Sequence, residues 1–210
     1  PMLPLDTVLT FFATALMLAL APGPDIIFVL TQSALYGMRA GVATTLGLIS
    51  GLCFHTTIVA VGVAGIFMTS PLAFTLLTIV GAAYLLYLAW LSFRAGASMA
   101  HLQESRFLGY WGLYRRGVIM NITNPKVTLF FLAFLPQFCA PERGSVALQV
   151  MELGLLFMLA AFIVFTAVSA LGGRLAHWFN SSPRGQMLMH RVAGLVFVAL
   201  AGMLIFSCVA

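Results

Sequence analysis

Charge is what this sequence most lacks: Asp, Glu, Lys and Arg make up 7% of its 210 residues, against 62% hydrophobic residues. Soluble domains carry roughly 25% charged residues, so a water-exposed globular surface is excluded. Nor is there room for a separate soluble domain. The longest stretches between apolar runs, Arg94 to Arg116 and Gly172 to Arg191, are too short and too interfacial in composition to fold alone. A basic segment ahead of the first apolar run is missing too. The only charge at the start of that run is Asp6, so Ala19-Leu20-Ala21 is not expected to serve as a signal-peptidase site, which requires a positively charged n-region.

Cysteine is scarce and irregular. Cys53, Cys139 and Cys208 are odd in number and without regular spacing, which gives no disulfide framework and no metal signature. Enzyme signatures are absent as well: there is no HExxH, no GxSxG and no pair of carboxylates at catalytic spacing. The expectation is a protein that is not an enzyme and has neither cofactor nor metal. The net charge of +5 is scattered over helix ends instead of gathered in a patch, which argues against nucleic acid as a partner.

What is present is apolar length. About 20 apolar residues cross a bilayer, and six such runs occur: Leu5 to Leu35, Val42 to Met68, Leu72 to Phe93, Gly117 to Phe138, Val146 to Leu171 and Val192 to Val209. They predict an all-α integral membrane protein of six transmembrane helices, a single transmembrane domain over residues 1–210. Basic residues gather in short cytoplasmic loops. Arg39 follows the first run, Arg94, Arg106, Arg115 and Arg116 the third, and Arg174, Arg184 and Arg191 the fifth, whereas the other side has only Arg143 beside Glu142. Both termini should therefore lie outside the cytoplasm. Trp90, Trp111 and Trp178 fall near the same cytoplasmic face, where "RFLGYWGLYRR", Arg106 to Arg116, reads as a short amphipathic segment lying on the surface.

Two of the runs are interrupted. "LAPGPD" sets Pro22, Gly23 and Pro24 inside the first, and "NITNPK" sets Pro125 inside the fourth. Proline removes a backbone donor and clashes with the preceding turn, so both helices should break there. "APGPDIIFVLTQ" aligns with "ITNPKVTLFFLA", which predicts two three-helix repeats, approximately 5–93 and 117–209, joined by a cytoplasmic interfacial loop at 94–116. Three spans per half is an odd number, so the second repeat enters the membrane inverted. Broken helices at matching positions of inverted repeats point to a transporter's binding site.

Ionisable groups within a membrane cost a few kcal/mol unless paired or hydrated, and Asp25 and Lys126 stand at the two breaks. A pseudo-twofold axis would bring them together near the midplane. One reading is a buried ion pair that fixes the halves. The other is a cavity for a zwitterion, with Asp25 taking the ammonium while Lys126 and the free N–H groups of a half-helix take the carboxylate. An α-amino acid fits that geometry. Asn121, Thr123 and Asn124 supply polar groups either to the broken backbone or to the ligand. Asp25, Val29 and Gln32 share a helical face, with Gln32 toward the cytoplasmic vestibule. On the second span Gly47, Gly51 and His55 recur every four residues, small residues that let a neighbouring backbone approach. His55 is a packing residue or, given an ordinary pKa near physiological pH, a proton carrier. Glu152 reads as a boundary residue, and Tyr84 and Tyr87 as packing or lining residues. Gly37 to Gly41 and Gly47 to Gly51 also offer small-xxx-small faces for a homodimer.

"APGPD", "GLISGLCFH", "GAAYLLYLAW" and "NITNPK" followed by "LPQF" together resemble the LysE/RhtB family of bacterial amino-acid exporters, over essentially the whole chain and nearest the threonine and homoserine branch. The resemblance implies efflux of amino acids or close derivatives across the bacterial inner membrane, driven by the proton gradient. Some members have an acidic residue deep in the fifth span; this sequence has none there, which leaves Asp25 or His55 for proton coupling. Rival classes are a passive channel or scaffold using Asp25 and Lys126 as a structural ion pair, and, more remotely, an intramembrane enzyme.

Overall fold

The computed structural model describes residues 3–95 and 107–209, the side chains of 63–69, 179–180 and 208–209 excepted. Arg106, the middle of the proposed 94–116 loop and the side chain of Cys208 thus lie outside the described residues. The described elements are all helical: α1 (Leu5–Leu20), α2 (Pro24–Tyr36), α3 (Met38–Thr69), α4 (Pro71–Arg94), α5 (Gly109–Ile122), α6 (Pro125–Leu129), α7 (Val146–Ser181) and α8 (Pro183–Val209). Four helices are long and apolar enough to cross a membrane alone, and up to six spans result when each bent pair counts as one.

The two bends arise at the prolines. α1 and α2 meet at 59°, and α5 meets the segment Pro125–Phe138 at 48°. Pro24 and Pro125 each open the second helix of their pair, a position where the missing N–H is an orphan in any case. Asn124 caps α6, its side chain accepting from the Lys126 N–H at 3.0 Å. Beyond α6 the ladder changes pitch, first to a π-helical turn at Phe130–Phe134 and then to a 3-10 turn at Leu135–Phe138.

Two boundaries differ from the sequence expectation. Residues 109–116, expected to lie on the membrane surface, are the first turns of α5, which runs unbroken to Ile122. Glycines explain it. A Cβ at Gly117 would come 2.6 Å from the Thr44 carbonyl oxygen, and one at Gly47 would strike that of Tyr114, so α5 lies backbone to backbone along α3. The aromatic and arginine-rich turn is held upright by this packing, with Tyr114 Oη donating to Ser50 Oγ at 3.0 Å. Likewise 172–191 is no loop. α7 continues to Ser181 and α8 starts at Pro183, so the 36 residues of α7 reach about 54 Å, well past a hydrocarbon core of about 30 Å.

α3 packs between α5 and α7, α1 and α2 rest on α7, and α4 pairs with α8 and meets the rest mainly at the π-helical turn. The centre is aromatic: Phe130 stacks on Phe134 with centroids 4.9 Å apart, and Phe157 lies 5.2 Å from both Phe130 and Phe131. Outward faces of α4 and α8 are apolar, with Leu72, Ile79, Leu195 and Phe206 exposed, a surface suited to lipid. The glycines that offered a dimer face are engaged inside the protomer instead. A Cβ at Gly41 would meet Ser169 and Ser33, one at Gly51 would meet Asn121, and Gly37 holds the α2–α3 turn at φ +85°.

Candidate substrate site at the two helix breaks

The breaks face each other. α1 ends without a basic residue of its own in the last turn, although its last carbonyls carry the negative end of the helix dipole. Lys126, the chain's single lysine, supplies the cation from α6: Nζ donates to the Ala21 carbonyl at 3.2 Å and to that of Leu18 at 3.5 Å. The lysine stem passes beside Gly23, where a Cβ would stand 2.9 Å from Nζ. Gly23 is extended, at φ −168°, so close approach, not backbone strain, is what glycine provides there.

Asp25 occupies the first turn of α2 and is buried, where an anion complements the positive end of the dipole and the orphan N–H groups. Asn121, at the end of α5, donates from Nδ2 to Asp25 Oδ2 at 3.1 Å. Asp25 Oδ1 has no hydrogen-bond partner, nor have Asn121 Oδ1 and Asn124 Nδ2. Asp25 and Lys126 do not form a direct ion pair; Asp25 is answered by the start of its own helix and by Asn121, and Lys126 by the last carbonyls of α1.

Both charges line one cavity with Asn121, its remaining wall coming from Leu18, Ala19, Leu52, Val127, Phe157, Ala161 and Phe165. Its volume of about 20 Å³ admits roughly one water molecule and no amino acid, so in this conformation the site is closed to substrate. Other predicted residues fall around it. Pro22 and Gly23 are half-buried in the first break, while Pro24, Thr123 and Pro125 are exposed. Thr123 turns back onto its own helix, Oγ1 donating to the Ile119 carbonyl at 2.8 Å.

His55 stands one residue removed from the cavity. Its Nε2 is 3.0 Å from the Asn121 carbonyl oxygen, and its ring lies against Phe54 and Phe131, with centroids 5.7 Å away in each case. Gly47, Gly51 and His55 thus all face α5. Gln32 is buried and Glu152 half-buried, while Tyr84, Tyr87, Trp90 and Arg94 stack along the outside of α4, away from the cavity. Sequence reasoning missed the contribution of α7. Phe157, Ala161 and Phe165 share a face at four-residue spacing, but in a helix apolar all round nothing marks that face.

A multi-pass helical membrane protein whose two broken spans enclose buried opposite charges is the class these features define. The LysE type translocator model matches residues 16–207, and the chain belongs to that family. The homoserine/homoserine lactone efflux protein of Salmonella typhimurium is 34% identical over 196 residues, 92% of this chain and 93% of that protein. The leucine efflux protein of Salmonella choleraesuis is 28% identical over 199 residues, 93% and 92% of the two chains. An uncharacterized membrane protein of Vibrio cholerae is 32% identical over 197 residues, 94% of this chain and 95% of that one. No solved structure matches the chain.

Proposed function

We propose that this protein is a secondary active exporter of amino acids or close derivatives, working by proton antiport across the bacterial inner membrane with both termini periplasmic. The observation that carries this reading is the pairing of Asp25 and Lys126 in one small cavity without an ion pair between them, one carboxylate oxygen being left without a partner. A zwitterion supplies what is missing. Its ammonium meets Asp25 Oδ1, and its carboxylate meets Lys126 once Nζ leaves the Leu18 and Ala21 carbonyls, beside the N–H groups that open α2. The efflux proteins among the relatives support the direction and the substrate class.

Alternating access requires two halves that rock about the site. The inverted-repeat reading is supported by the helix pairings: the first broken span rests on the fifth as the fourth rests on the second, while second pairs with fifth and third with sixth. For the proton, Asp25 is the better candidate of the two, because it lines the cavity and has an oxygen without a partner, whereas His55 is held on a main-chain carbonyl. A structural ion pair in a passive channel or scaffold is disfavoured by the lysine's choice of carbonyl partners.

Counterflow into proteoliposomes loaded with unlabelled amino acids tests the proposal. Exchange of labelled amino acid, with net accumulation that follows an imposed pH gradient, is expected. Passive equilibration indifferent to pH would favour the channel.

A further inference from the structure

On the exporter reading, the polar groups of the cavity are fully assigned: Asp25, Asn121 and Lys126 meet the amino and carboxyl ends common to every α-amino acid. Discrimination among side chains must come from the apolar wall. The shape of that wall is set by α7, whose small residues work at its two ends. A Cβ at Gly154 would come 2.5 Å from Thr56 of α3. Further along, Ser169 packs against Gly41 of α3, and Gly172 against Ser33 of α2. At these places α7 is drawn tightly onto its neighbours. Between them Phe157 and Phe165 line the cavity, and Ala161, one turn from each on the same face, is 1% exposed. The cavity survives opposite its methyl group.

We infer that Ala161, set between Phe157 and Phe165 in the cavity wall, determines the size of the side chain this protein exports, and that the side chain accepted is uncharged. Position 161 sets the depth of the space because any atom added beyond Cβ enters it. No charge other than Asp25 and Lys126 lines the cavity, so a substrate with a third charge would leave that charge buried and unpaired.

The test is counterflow with labelled alanine, homoserine, leucine and lysine, in wild type and in Ala161→Ser, Ala161→Val, Ala161→Leu and Phe165→Leu. Wild type should exchange the uncharged members and not lysine. Ala161→Val and Ala161→Leu should lower the ratio of leucine to alanine exchange by about tenfold or more, the scale of a misfitting methylene in an apolar pocket. Ala161→Ser, which adds a single atom beyond Cβ, should lower it less, and Phe165→Leu should move it toward leucine. Folding is read separately by elution and melting temperature in detergent. An unchanged ratio in folded Ala161→Val and Phe165→Leu overturns the assignment, as does lysine exchange at the alanine rate. Should the enlarged variants fail to fold, Phe165→Leu decides alone, a ratio moved toward leucine supporting the assignment and an unmoved one overturning it. Wild-type protein that exchanges none of the panel overturns the exporter reading and this inference with it.

Discussion

Lys126 of the second break lies against Gly23 of the first, so close that a methyl group at position 23 would stand 2.9 Å from Nζ. The contact ties the two prolines' consequences into one site: one break frees the carbonyls of α1, and the other delivers the cation that binds them.

Gly23→Ala should therefore disturb transport more than stability. The far end of a lysine can shift and keep a main-chain acceptor at little cost to folding, but a displaced Nζ no longer meets the substrate carboxylate, a charge-assisted contact of about 1.5 to 3 kcal/mol. Apparent substrate affinity should fall roughly 10- to 100-fold while the melting temperature stays near wild type. Wild-type affinity in counterflow would show that the lysine's position is immaterial.

Neutralising the charges separates the zwitterion site from a structural pair. Asp25→Asn should weaken amino acids far more than their deaminated acids, and Lys126→Met should hurt free carboxylates more than amides or esters. Because no direct ion pair joins the two side chains, the double variant should be at least as impaired as either single one. Recovery of transport and melting temperature in the double variant would establish the pair instead.

Proton coupling is expected at Asp25 and not at His55. Asp25→Asn should abolish accumulation driven by a pH gradient. His55→Gln retains a donor for the Asn121 carbonyl and should keep that accumulation, with Asn121 still in place. The measurement is uptake against a gradient at several imposed pH differences; loss of it in folded His55→Gln would move the carrier to the histidine.

Packing between α3 and α5 leaves no room at Gly47. Gly47→Val forces Cβ onto the Tyr114 carbonyl, and overpacking of this kind typically costs about 1 to 3 kcal/mol, more where backbone must move. Expression should fall and the melting temperature drop by several degrees. Gly202→Val, where nothing lies within 4 Å, is the matched control and should behave as wild type.

Orientation is tested by single cysteines in a background lacking Cys53, Cys139 and Cys208. A cysteine at the exposed Arg143 should react with a membrane-impermeant maleimide in intact cells, and one at the exposed Arg94 should not. Equal labelling would overturn the assignment of both termini to the periplasm.

The helix breaks were legible because proline and glycine impose local geometry that no tertiary context can remove, and because a carboxylate and a lysine stand out in an apolar chain. Helix ends were less so. The turns from Gly109 to Arg116 have the composition of an interface, and only the backbone contact between Gly47 and Gly117 tells that they stand with α5. That the charges would meet at one place followed from the internal repeat expected of the two broken runs. That Lys126 would turn to the carbonyls of α1 instead of Asp25 did not, because main-chain acceptors have no letter in a sequence. The wall contributed by α7 was hidden for the opposite reason: where every face is apolar, periodicity carries no contrast.

A chain with one lysine has, apart from its terminus, one amine. Lys126 is 8% exposed in this closed arrangement, so an acylating reagent that spares the closed form can reach it only when the cavity parts. The rate at which that amine is modified becomes a clock for opening, readable by intact mass on unaltered protein, and any amino acid that holds the cavity shut should slow it.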